Sequence, residues 1–207
     1  MAKVIGGIGS MLSGKIEGLV FVNYKGGTYV RSAPKRKKDS STPRMLLNQK
    51  RFGEVIRFCG QFKDTVIPQI WNLAAVDTSG YRLFQKTNSP AFGPDGSLAD
   101  PKLIRLSTGK LTLSQDLQAQ RKAAKSSTIQ VSWQKDIKWG GKSLKDELMV
   151  LSAADGKYSD ITATGLVRDA LKGSFELPQL PVSATHIYLF FASQDHTDYS
   201  ESVCFEV

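Results

Sequence analysis

Residues 9–32 read GSMLSGKIEGLVFVNYKGGTYVRS, and two incompatible folds compete for them. Gly9, Gly14 and Lys15 match G-x-x-x-x-G-K, the opening of a phosphate-binding loop. Such a loop needs Ser or Thr after its lysine to hold magnesium, and a helix directly behind it whose amides face the phosphates. Here Ile16 follows the lysine, and residues 19–22, Leu-Val-Phe-Val, run into a glycine turn. No strand–helix alternation follows downstream. The stretch therefore predicts a β-hairpin and excludes a nucleotide hydrolase.

Two runs rich in Val, Phe and Tyr flank Lys25-Gly26-Gly27, and glycine supplies the positive φ that tight hairpin turns demand. In the second arm Thr28 and Val30 share one face, and Tyr29 and Arg31 the other. The first arm is apolar on both faces. A two-stranded ribbon is not stable alone, so this one must dock on something. Leu19, Phe21, Tyr24 and Tyr29 are the residues expected to carry that docking.

Charge points to the same segment. The 207 residues carry a net charge of +9, and residues 1–67 hold 13 Lys/Arg against 4 Asp/Glu, so the whole excess lies in the first third. An acidic partner is implied there: nucleic acid, an anionic surface or an acidic subunit face. PKRKKDSSTPR, residues 34–44, reads as an exposed basic loop. Thr42-Pro43 then starts a helix, Thr as N-cap and Pro in the first turn. Met45, Phe52, Val55, Cys59, Phe62 and Val66 recur by threes and fours, predicting an amphipathic helix to about residue 67, with Pro68 a kink or stop. Lys35, Arg36, Lys37, Lys38, Arg44, Lys50, Arg51 and Arg57 form the candidate contact set for nucleic acid or an acidic partner. A second helical stretch is expected from Pro68 to Phe92.

The punctuation Asn88-Ser89-Pro90 and Gly93-Pro94-Asp95-Gly96 marks the expected boundary: an N-terminal arm and helical segment, residues 1–96, and a second domain, residues 97–207. In that second part seven short strand-like runs alternate with turns: 103–107, 110–114, 128–133, 147–153, 174–177, 186–193 and 202–207. The pattern predicts an antiparallel β-sandwich of immunoglobulin or fibronectin type, and the whole an α+β fold. Trp133 is expected in the sandwich core and Trp139 in a loop.

The residues from the MAK start through G-x-x-S-G-K, Gly18, Tyr24-Lys25-Gly26, Val30-Arg31-Ser32-x-Pro34 and Thr42-Pro43 resemble an uncharacterised family. That family is widespread in Bacteroidetes and their mobile elements and is catalogued as a domain of unknown function. The ending IYLFFAS…YSESVCFEV is similar to its sandwich-like C-terminus. Many members carry a tryptophan near the hairpin turn where Tyr24 stands. The resemblance implies a bacterial or phage origin and an arm-plus-sandwich layout. It assigns no catalytic residue.

Enzyme signals are thin. The chain has 2 His, His186 at the start of an apolar run and His196 in a polar turn, and no third ligand converges on them. There is no Gly-x-Ser-x-Gly elbow. Cys59 and Cys204 read as buried small hydrophobes. No apolar run approaches the roughly 20 residues of a membrane span, and no signal peptide is evident, which points to the cytoplasm, or to a virion if the chain is phage-encoded. The expectation is a non-enzymatic structural protein without cofactor or metal. It would form a homo-oligomer or dock on a partner subunit through its arm, with nucleic-acid binding as the alternative.

Overall fold

The computed structural model describes residues 2–4, 12–24, 27–35, 41–123, 126–135, 143–178 and 183–207, with the backbone alone for 2–4 and for Tyr24. The chain divides into two compact units, Met1–Thr42 and Pro43–Val207.

The first unit is an antiparallel four-stranded sheet. Its strands are β1 (Ala2–Val4), β2 (Gly14–Ile16), β3 (Leu19–Tyr24) and β4 (Gly27–Ser32), in the order β1-β4-β3-β2. The expected hairpin is β3–β4. Its pairing runs from Leu19↔Ser32 to Tyr24↔Gly27, and its turn, Lys25-Gly26, lies outside the described residues. Two edge strands that hydrophobic periodicity did not reveal extend it. β2 turns into β3 through Glu17, whose φ is +49°. Lys15 sits in a strand and is followed by a turn, so the geometry of a phosphate loop is absent there.

The second unit opens with α1 (Pro43–Gly60), starting at the predicted proline. Pro68 neither stops nor sharply kinks the chain. Ile67–Trp71 forms one π-helical turn, in which the Asn72 amide donates to the carbonyls of Ile67 and Ile70. The wider turn accommodates a residue that lacks an N–H. Next come α2 (Asn72–Ala74) and, after a break, α3 (Gly80–Asn88), whose amide at Arg82 is capped by the Ser79 hydroxyl. The single helix expected over 68–92 is thus split by the loop around Val76-Asp77.

Eight strands follow: β5 (Gln118–Arg121), β6 (Thr128–Ser132), β7 (Glu147–Ala154), β8 (Lys157–Tyr158), β9 (Thr162–Val167), β10 (Lys172–Glu176), β11 (His186–Ala192) and β12 (Val203–Glu206). They form two antiparallel sheets. One has the order β10-β6-β5; the other has the order β12-β11-β7-β8, with β9 also paired to β7. The α+β class is as expected.

Period-2 alternation explains how the layers meet. Leu148, Val150, Ile187, Leu189 and Phe191 face one way from β7 and β11 and pack with Ile129, Val131, Trp133 and Phe175 of the smaller sheet. Met149, Leu151, Ala153, Tyr188, Phe190 and Ala192 face the other way and pack with Val55, Phe58, Cys59, Phe62, Ile70, Trp71 and Phe84 of the helical segment. The central strands are buried on both faces. The helices and the larger sheet therefore share one core, and the chain divides after Thr42 and not after Gly96.

Two expected strands, 103–107 and 110–114, do not form. Pro101–Leu103 is a 3-10 turn, and residues 104–107 run extended but outside any ladder. Side chains satisfy that backbone instead. Asn88 Oδ1 accepts from the Arg105 amide at 2.7 Å, Ser202 Oγ accepts from the Leu106 amide at 2.9 Å, and Trp71 Nε1 donates to the Leu106 carbonyl at 2.9 Å. Ile104 and Leu106 are fully buried, which is why their pattern read as a strand.

Candidate interaction surface

The expected contact residues do not behave as one set. Lys35 is exposed, while Arg36, Lys37 and Lys38 lie outside the described residues. Arg44 and Lys50 are exposed on α1. Arg51 turns back and donates from Nη2 to the Ser89 carbonyl at 2.9 Å, and Arg57 pairs with Glu54 one turn earlier. Two of the four helix cations are thus engaged within their own unit.

α1 holds a feature that its periodicity hid. Val55, Phe58 and Cys59 are buried, but Met45 is 48% exposed, Leu46 53%, Leu47 49% and Phe52 58%. Met45 and Phe52, expected in the core, are surface residues because the helix runs past the end of the layer that covers its C-terminal half. At about 100° per residue, Met45, Leu46 and Leu47 point in three different directions around the axis. The first two to three turns are therefore apolar on several sides and carry Arg44, Lys50 and Arg51.

In the first unit, register places Leu19, Phe21 and Val30 on one face together with Ile16 of β2, and places Val22 and Tyr29 on the other. Ile16 is 48% exposed, Leu19 47% and Val22 38%. Phe21 and Tyr29 are half-buried. The side chain of Tyr24 lies outside the described residues. Thr28 is buried and donates to Asn23 Oδ1 at 2.7 Å. Among the described residues of this unit there is no second layer over the sheet.

Sequence reasoning missed a groove of about 510 Å³ in the second unit. Ile70, Leu73, Ala74, Val76 and Leu83 line one side, and Gly109, Lys110, Thr197, Asp198 and Tyr199 the other. Leu73 is 57% and Val76 92% exposed. Both had read as members of a continuous helix, and only the break before α3 leaves them on the surface. The wall formed by the β11–β12 loop is acidic. Within it Asp195 Oδ1 accepts from the Ser193 hydroxyl at 2.7 Å and the Thr197 hydroxyl at 2.8 Å, bonds that hold its carboxyl down at about 2.

His186 opens β11, with its Nδ1 3.0 Å from the Thr185 hydroxyl, and His196 sits at φ +54° in that loop. Among the described residues no group of three or more His, Cys, Asp or Glu could hold a metal ion. Trp133 fills the space between the sheets, edge-on to Phe191 at 5.5 Å, and its Nε1 donates to the Arg168 carbonyl. Trp139 lies outside the described residues. Cys59 and Cys204 are buried free thiols, and burial pushes Cys59 up to about 11. Among the described residues no helix is long and apolar enough to cross a membrane. Comparison with models of protein families, with curated proteins and with solved structures finds no match.

Proposed function

We propose that this chain is a non-enzymatic structural protein that self-associates or docks on a partner subunit through its N-terminal third. A phage or mobile-element particle is the setting that its resemblance to the Bacteroidetes family favours. The observation that carries the reading is the uncovered N-terminal sheet. A single antiparallel layer with Ile16, Leu19 and Val22 exposed has apolar surface that its own unit does not bury, and its outer strands offer backbone groups for pairing. The exposed apolar half of α1 adds to the same surface requirement.

The finer architecture belongs to this reading. The strand orders β10-β6-β5 and β12-β11-β7-β8, meeting across a core that holds a buried tryptophan, support an immunoglobulin or fibronectin-like sandwich. Such a module presents surfaces on a rigid frame, and the N-terminal sheet is the adhesive part. The test is the mass of the full chain in solution across a wide concentration range, with and without residues 1–42. The full chain is expected to associate and the truncated one to be a smaller species. A monomeric full chain at high concentration ends the proposal.

Exposed Lys35, Arg44 and Lys50 favour a second reading, an accessory protein bound to the phosphate backbone of nucleic acid. It predicts affinity that falls steeply with salt, and a shallower slope after Lys35, Arg36, Lys37 and Lys38 are replaced by Gln. An unchanged slope removes it.

A further inference from the structure

Among the described residues of the second unit, six of the eight exposed large apolar side chains fall in two groups. Met45, Leu46, Leu47 and Phe52 sit on the protruding half of α1. Leu73 and Val76 sit at the groove against the β11–β12 loop. The two groups differ in charge. The helix carries Arg44, Lys50 and Arg51 against Glu54. The groove has Asp198 on its wall, Asp195 on the same loop and Asp77 beside Val76, against Lys110.

We propose that the N-terminal half of α1 in one copy of this chain seats in the Leu73/Val76 groove of a second copy. This deepens the self-association reading and rests on it. Three observations select a second copy as the occupant. Val55, Phe58 and Cys59 fix the C-terminal half of α1 in its own core, so the same continuous helix cannot bend its first turns into its own groove. Apolar side chains pointing in several directions need a surrounding groove, whereas a flat lipid surface covers one side only. Phosphates would satisfy the cations but leave Leu46, Leu47 and Phe52 in water. The groove offers both an apolar wall and opposite charge, the pairing that directs specific association. The contact joins two different patches, so it closes into a ring or dimer, or continues as a filament, according to the rotation between copies.

The test uses the full chain and sedimentation velocity, with nuclease-treated protein throughout. One variant reverses the helix (Arg44→Glu with Lys50→Glu). A second reverses the groove (Asp77→Lys with Asp198→Lys). All four positions are at the surface, and circular dichroism checks that each variant is folded. Each alone is expected to weaken association about tenfold or more. An equimolar mixture of the two is expected to recover it, since each reversed helix then meets a reversed groove. Leu46→Gln with Leu47→Gln is expected to weaken association without any change of charge. Undiminished association in the variants, or no recovery in the mixture, overturns the helix–groove contact. If deleting residues 1–42 still abolishes association in that case, the broader reading survives alone. A full chain that is monomeric throughout overturns both.

Discussion

Arg168 shows how much one side chain can organise without any sign in the sequence. Val-Arg-Asp-Ala reads as a surface turn, yet Arg168 is 1% exposed. Its Nε lies 3.2 Å from Asp146 Oδ2, its Nη1 donates to the Thr112 carbonyl at 2.7 Å, and its guanidinium carbon stands 4.2 Å over the Phe191 ring. Burial pushes the Asp146 carboxyl up, and the neighbouring guanidinium draws it back. Removing one member of a buried pair strands the other, so Arg168→Ala is expected to cost about 3–5 kcal/mol, read from urea unfolding. A loss below about 1 kcal/mol would place the pair with ordinary surface ion pairs. Asp195 is the opposite case: exposed, with its carboxylate fixed by local hydroxyls. Its folded value lies below its unfolded one, so whatever this loop gains from the charge is present above the ordinary carboxylate range. That gain is lost as pH falls through about 2. Carboxyl NMR titration is expected to show this low midpoint, and Ser193→Ala to move it up toward the usual range.

At the scale of elements, periodicity told apart what was helix and what was strand but not which side of each was covered. β7 and β11 were legible as strands because their apolar runs are continuous, and they are continuous because both faces are buried. β5, with Gln118 and Gln120 outward, and β9, with a register shift against β7, carry no such run and escaped notice. The segment 104–107 imitated a strand because burial alone selects apolar residues, whatever satisfies the backbone. Its continuation contains a position where only glycine fits. A Cβ on Gly109 would stand 2.4 Å from the Tyr199 carbonyl oxygen and 3.0 Å from its amide nitrogen. Neither backbone atom can move without disturbing the bridge between Leu111 and Ser200. Gly109→Ala is therefore expected to destabilise by about 1–3 kcal/mol, whereas Gly53→Ala, with open space around it on α1, is expected to stabilise by several tenths of a kcal/mol. Thermal melts of the two variants check the contrast.

For the molecule as a whole, the two compact units make a direct prediction. Both buried clusters lie within residues 43–207, so removing residues 1–42 is expected to leave a cooperative unfolding transition whose midpoint shifts by only a few degrees. Loss of the transition would mean that the sheet and the second unit are one folding unit. The sequence by itself determined the hairpin, the start of α1, the central strands and the concentration of positive charge in the first third. These are local matters, set by turn residues, capping and the period of apolar side chains. Tertiary structure alone decided that α1 shares a core with the larger sheet, that Met45 and Phe52 are surface while Arg168 is core, and that Leu73 and Val76 border a groove. Burial is a property of what lies across from a residue, and neighbours brought together from 40 to 100 positions away leave no trace in a local pattern.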